Sequence, residues 1–251
     1  MVHFVGAGSG APDLITVRGA RLLREADVII YAGSLVNPEL LSYAKKNCEI
    51  FDSSKMTLED VVSVIKRAES AGKTTVRLHT GDPSLFGAVR EQYDALSRLG
   101  IEFSVCPGVS SFSAAAAALK AEYTLPGVSQ SVIISRAAGR TDVPGAQSVH
   151  AMSAHKSTMI FFLSAALAEK LQSELIAGGW AHDTPAAVAF RVSWPDEKII
   201  HCTVGTLFET LTKNDIRKTA LIIVGDVLGG DYHRSRLYDP GFSTEYREAS
   251  K

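Results

Sequence analysis

The chain is poor in cysteine: Cys48, Cys106 and Cys202 are far apart and odd in number. That excludes a disulfide scaffold and leaves no cysteine pair at metal-ligand spacing, so a reduced, cytosolic protein is the expectation. Charge of one sign is also lacking. With 26 Lys+Arg against 27 Asp+Glu the formal net charge is -1. A bulk attraction to nucleic acid or to an anionic membrane is thereby excluded, although a local basic pocket is not. No apolar run approaches the roughly 18 residues that a membrane helix needs. Met1-Val2-His3-Phe4-Val5 enters a strand at once, without the look of a signal peptide. The histidines form no His-x-x-x-His pair, so no metal site is expected. There is no Gly-x-Ser-x-Gly elbow and no Walker A sequence, which leaves a hydrolase triad and a P-loop unsupported. What remains is 46% hydrophobic residues in a chain of 251, enough to bury one sizeable core or two modest ones.

The first half alternates apolar runs with helical patterns. Val2–Val5, Val28–Tyr31, Thr74–Leu78 and Ile101–Val105 read as strands. Between them lie a helix capped by Thr16 and running to about Ala26, a helix opened by Thr57 with Asp60 three residues on, and a helix carrying Val89, Tyr93 and Leu96. An Ala-rich helix over Ser111–Leu119 follows. Repeated strand–loop–helix units imply crossovers and a mostly parallel sheet, with ligands bound at the carboxyl ends of the strands. The Gly/Pro-rich breaks at 6–13, 81–87 and 107–111 all follow strands and therefore share one rim. The pattern resets around Ala121–Gln130. Later strands are expected at Val132–Ser135, Met159–Leu163, Ala186–Val192, Ile199–Thr203 and Ala220–Val224, with a helix over about Ala165–Ala177. Trp194-Pro195-Asp196-Glu197 is a turn-length gap between two of them and predicts a hairpin, hence antiparallel pairing in the second sheet. The expectation is an α/β protein of two domains, residues 1–120 with a mostly parallel sheet and 121–228 with a mixed one, and a polar tail at 229–251.

Three motifs carry chemistry. Gly6-x-Gly8-x-x-Ala11 matches the dinucleotide fingerprint formally. Against a nicotinamide site, Pro12 follows in a segment too rich in glycine to begin a helix, and no carboxylate follows the second strand at Ala32-Gly33. His79-Thr80-Gly81-Asp82-Pro83 offers a close backbone approach and an acceptor. Pro83 suits a helix start, and Asp82 can equally be only the cap of that helix. Pro107-Gly108-Val109-Ser110-Ser111 repeats the logic, with either serine a candidate cap. In the second half, Arg136 and Arg140 flank Gly139 at a strand end. They can clamp carboxylates bidentately, or be two solvated arginines on a loop.

With these residues in view the chain resembles the tetrapyrrole methylase family, S-adenosylmethionine-dependent enzymes of the cobalamin and sirohaem pathways. The resemblance runs from Val2 to about Val227. It is carried by Gly6-Ala7-Gly8-Ser9-Gly10-Ala11-Pro12-Asp13-Leu14-Ile15-Thr16, by Gly81-Asp82-Pro83 and by Pro107-Gly108-Val109-Ser110-Ser111. Tyr31-Ala32-Gly33-Ser34-Leu35-Val36, Arg136-Ala137-Ala138-Gly139-Arg140-Thr141, Gly179-Trp180 and Trp194-Pro195-Asp196-Glu197-Lys198 look like the branch that methylates precorrin-4 at C-11.

The resemblance implies two α/β domains with S-adenosyl-L-methionine in the cleft between them, a tetrapyrrole substrate, and a homodimer. It implies cofactor contacts at Ser9, Thr80, Gly81, Asp82, Leu85, Ser110 and Ser111. In the second domain it implies them near Leu163, Phe190, Arg191, Ala220 and Leu221, where core packing competes for Leu163, Ala220 and Leu221. Many family members have Pro at the position of Ser9, a change of loop stiffness more than of chemistry. A substrate bearing many carboxylates needs local positive charge in a near-neutral protein, for which Arg136, Arg140 and Lys156 are the candidates, with Arg191 behind them. No catalytic base is specified. Tyr31 is the candidate, against a packed aromatic at a strand end. The rival classes are a nicotinamide oxidoreductase, a non-catalytic tetrapyrrole carrier or scaffold, and a plain structural dimer, which leaves three ligand-type loops on one rim unexplained.

Overall fold

The computed structural model describes residues 1–230 and 232–250, so residues 231 and 251 of the expected tail lie outside the described residues. Its contacts divide the chain into two compact units. One is Met1–Ala114 together with Val192–Asp196, and the other is Ala115–Arg191 together with Glu197–Lys251.

The first unit is built on five strands: β1 (Val2–Gly6), β2 (Val28–Tyr31), β3 (Glu49–Asp52), β4 (Thr75–His79) and β5 (Phe103–Cys106). They pair in the order β3-β2-β4-β1-β5, and every pairing is parallel. The central strands are buried on both faces, which is why they read as unbroken apolar runs. Alternate residues then divide between two layers. Val5, Ile29, Val76 and Leu78 pack with Ala20, Leu22 and Leu23 of α1 (Val17–Glu25). Val2, Phe4, Val28 and Ile30 pack with Val61, Ile65 and Ala68 of α2 (Leu58–Ser70) and with Leu96 of α3 (Arg90–Arg98). Thr57 and Asp60 close a reciprocal capping box at the start of α2, as their spacing predicts.

Two expectations are corrected here. No helix starts at Pro83: the chain turns over residues 83–86 and α3 begins only at Arg90. Phe86 and Ala88 adopt left-handed φ of 52° and 46°, which a helix cannot accommodate. The edge strand β3 has no counterpart in the sequence reading, because Glu49-Ile50-Phe51-Asp52 is short and only half-buried.

The chain leaves the first unit within α4 (Ser111–Leu119). In the second unit β6 (Val132–Arg136), β7 (Thr158–Phe162), β8 (Pro185–Phe190), β9 (Lys198–Thr203) and β10 (Ala220–Val224) form a second sheet in the order β6-β7-β10-β8-β9. β6 and β7 are parallel and the rest antiparallel, so the sheet is mixed, with β8–β9 the hairpin expected across Trp194. α5 (Val149–Ser153), α6 (Ala168–Ala177) and α7 (Leu207–Lys213) bury Val149, Leu171, Leu175, Leu207 and Leu211 in its core. α5 and α7 are too short to show a helical period in the sequence.

Candidate functional site

β1, β4 and β5 lie side by side and run the same way, so the loops that follow them meet at one rim. Glycine makes the meeting possible. Gly8 and Gly81 exchange backbone hydrogen bonds of 3.2 and 2.8 Å. A Cβ on Gly6 would lie 2.5 Å from the Gly108 Cα, and one on Gly108 would collide with the Gly81 carbonyl. Gly81 itself is left-handed at φ 59°, yet a Cβ there would meet nothing nearer than 3.7 Å, at Ser110 and Ser111. The three loops thus meet backbone to backbone, with Gly81 itself buried and a Cβ there only in ordinary van der Waals contact with the opening of α4. Glycine at these positions suits a ligand approaching the main chain closely.

Asp82 ties two of the loops together. Its Oδ2 accepts from the Gly108 N–H at 2.8 Å, and its Oδ1 accepts from the Ser84 N–H at 2.9 Å and from the Ser84 hydroxyl. Partial burial would raise the Asp82 pKa, but these donors prevail and hold the carboxyl below its usual range. It caps this turn and not a helix. The Ser110 carbonyl accepts from Ser113 and Ala114, which places Ser110 and Ser111 at the opening of α4.

The glycine loop is pinned from its other side by residues the sequence reading did not select. The Ser9 hydroxyl is buried and hydrogen-bonds that of Ser193 at 2.9 Å. Ser193 Oγ also accepts from the Ala11 N–H at 3.0 Å, and Asn37 Nδ2 donates to the Gly10 carbonyl at 2.9 Å. The Trp194 indole lies where a Cβ of Gly10 would be. Trp194 was visible as a turn residue, but a contact spanning about 180 positions leaves no local signal. Beyond Ala11 the chain makes a short 3-10 turn over Pro12–Leu14, and α1 starts at Val17 behind its Thr16 cap. The loop therefore does not open a helix, as a dinucleotide fingerprint requires.

The remaining first-unit candidates lie on the same rim. Thr80 is half-buried with its hydroxyl 3.5 Å from the Leu35 carbonyl, Leu85 sits half-buried in the turn, and Tyr31 ends β2 packed against the α1-side core.

In the second unit, strand register gathers the candidates at one sheet edge. Arg136 pairs with Phe162 and Ala220 with Phe190. Leu163, Phe190, Arg191, Ala220, Leu221 and Arg136 consequently share that edge. Leu163, Arg191 and Thr219 there are left-handed, with φ of 54°, 46° and 56°, a strain of roughly 1 kcal/mol or more each that persists only where the surroundings impose it. Leu163 is 67% exposed, whereas Ala220 and Leu221 are buried. Arg136 donates from its guanidinium to the carbonyls of Thr141 and Asp142 at 3.1 and 2.7 Å and so shapes its own loop, on which Arg140 is exposed. Lys156 is not brought to this edge. It precedes β7 at the opposite end of the sheet, with its ammonium 4.6 Å from the Trp180 ring centre.

The family model described as Tetrapyrrole (Corrin/Porphyrin) Methylases matches residues 1–207. The chain belongs to the tetrapyrrole methylase family. The cobalt-precorrin-4 C(11)-methyltransferase of Methanocaldococcus jannaschii is 51% identical over 251 residues, covering 100% of this chain and 97% of that protein. A solved cobalt precorrin-4 methyltransferase superposes with a TM-score of 0.89 at 44% identity, over 91% of this chain and 96% of the other. The uroporphyrin-III C-methyl transferase of Thermus thermophilus, solved with S-adenosyl homocysteine, gives 0.76 at 27% identity over 91% and 93%. In this tetrapyrrole methylase the three glycine-bearing loops are the motifs by which the sequence resembles its family. They are also the loops that converge.

Proposed function

We propose that this tetrapyrrole methylase transfers the methyl group of S-adenosyl-L-methionine to C-11 of precorrin-4, giving precorrin-5 in cobalamin biosynthesis. The observation that carries the reading is the backbone-to-backbone meeting of the Gly6, Gly81 and Gly108 loops at one rim, in a chain 51% identical to a cobalt-precorrin-4 C(11)-methyltransferase. The cobalt-containing precorrin-4 is the second reading of the substrate. It is favoured because that relative and the solved enzyme at 44% identity are both named for it.

The sulfonium of the cofactor supplies an already activated methyl, so the protein needs no nucleophile of its own. Its task is to align carbon, methyl and sulfur and to keep water out. Ser9, Thr80, Gly81, Asp82, Leu85, Ser110 and Ser111 are assigned to the cofactor in the first unit, the backbone around Gly81 providing the seat. Leu163, Phe190, Arg191, Ala220 and Leu221 are assigned to it in the second, Ala220 and Leu221 through their main chain, since both side chains are buried. Arg136 and Arg140 are assigned to substrate carboxylates. Lys156, at the far end of its sheet, is the least suited of the three cations to join them. Tyr31, on the first rim, is the candidate to take a proton from the macrocycle. A homodimer in the cytoplasm completes the reading and rests on the family resemblance. Among the described residues no helix is long and apolar enough to cross a membrane.

Calorimetry tests the reading directly. The purified protein should bind S-adenosylhomocysteine. Arg136→Ala and Arg140→Ala should retain that affinity while each weakens tetrapyrrole binding about tenfold, the worth of one charge-assisted hydrogen bond. Absence of S-adenosylhomocysteine binding would overturn the proposal.

A further inference from the structure

β4 carries an arginine inside the core. Arg77 is buried and, among the described residues, forms no ion pair. Burial lowers its pKa only to about 10, so the guanidinium remains charged at neutral pH. A buried cation without a carboxylate is costly and persists where its donors are put to use. Arg77 NH1 donates to the carbonyls of Ile30 and Leu78, at 3.1 and 3.4 Å. Its Nε donates to Gln92 Oε1 at 3.1 Å. Gln92, also buried, uses its amide nitrogen in turn to donate to the Ala88 carbonyl at 3.1 Å.

Ala88 closes the loop that starts at Thr80 and holds Asp82 and Leu85. It is exposed and left-handed, as is Phe86 two residues earlier. Such residues need an external restraint. We infer that Arg77 and Gln92 are positioning residues: Arg77 orients the Gln92 carboxamide, and that amide holds Ala88 in its left-handed form, fixing the loop on which Gly81, Asp82 and Leu85 meet the cofactor. The inference rests on the assignment of that loop to S-adenosylmethionine. The chemistry required at position 92 is specific. One end must accept from a guanidinium and the other must donate to a carbonyl, which an amide does and a carboxylate does not.

Gln92→Glu separates the two ends. The glutamate keeps its bond to Arg77 and gains a counter-charge, so the protein stays folded, but an oxygen now faces the Ala88 carbonyl without a proton. The expected result is a thermal midpoint close to that of the parent and about a tenfold rise in the S-adenosylhomocysteine dissociation constant. The matching kinetic change is a raised KM for S-adenosylmethionine with kcat nearly unchanged. Adding Ala88→Gly, which makes the left-handed conformation easy, should restore most of the affinity. Ala88→Val, on the exposed end and therefore safe for the fold, should weaken binding by itself. A folded Gln92→Glu protein with parental affinity, no recovery on adding Ala88→Gly, or an Ala88→Val protein that binds as the parent does would each overturn the inference. Asp82→Asn is the control, since an amide accepts through one atom only and cannot keep both the Gly108 and the Ser84 N–H bonds. If it binds S-adenosylhomocysteine as tightly as the parent, the loop is not the cofactor seat and both the assignment and the inference fall. If it weakens binding while Gln92→Glu does not, the inference alone falls.

Discussion

His79 shows how a single residue ties the fold to pH. It ends β4, is buried, stacks 6.0 Å from Phe4, and leaves Nε2 without a partner in the described structure. Burial first, and the neighbouring Arg77 charge second, push its pKa from 6.5 down to about 3. Below pH 6.5 the unfolded chain takes up a proton that the folded chain refuses. The stability present above that pH is therefore lost progressively as pH falls toward 3, at up to about 1.4 kcal/mol per pH unit. His79→Phe, which can keep the ring contact, should flatten this dependence. Urea midpoints measured at pH 7 and pH 5 check it: the parent should lose markedly more than the variant, and equal losses would refute the assignment of the effect to His79. The residue scale also explains which site residues were hidden. Gln92 sits within a helix pattern and Arg77 within a strand pattern, where sequence treats both as ordinary polar positions. Only tertiary contact makes them a pair.

At the scale of the element, local chemistry governs what can be read. The Thr57–Asp60 capping box, with bonds of 2.9 and 3.2 Å, is fully specified by residues three apart. Thr57→Ala should cost about 1 kcal/mol and lower the thermal midpoint by roughly 2–4 °C in a chain of this size. A shift of less than 1 °C would place the stability of α2 in its packing and not in its cap. The same locality made β2, α4 and β10 legible to their end residues, because long apolar or Ala-rich runs end at clear breaks. It failed at β3, α5 and α7. Glu49-Ile50-Phe51-Asp52 is only four residues long, sets its two apolar residues side by side without alternation, and is held by its pairing with β2. Helices of five and seven residues lack the two turns that a 3.6-residue period needs to show itself. Pro83 misled for a related reason: proline permits a helix start but does not compel one. The left-handed φ of Phe86 and Ala88 excludes a continuous helical course from Pro83 to Arg90.

For the whole molecule, the sequence motifs were informative because a parallel sheet turns order along the chain into adjacency in space. Loops at 6–13, 81–87 and 107–111 could be placed on one rim from strand direction alone, and β4-β1-β5 adjacency brings them into contact. The mixed second sheet obeys no such rule. There, register was needed to bring Arg136, Leu163, Phe190 and Ala220 to one edge and to leave Lys156 at the other. The central claim, methyl transfer to C-11, is tested most directly by incubating the purified protein with precorrin-4, or with its cobalt form, and methyl-labelled S-adenosylmethionine, then locating the label by NMR. The account predicts one added methyl, at C-11, in at least one of the two substrates. A methyl at another ring carbon, or none in either, would contradict it.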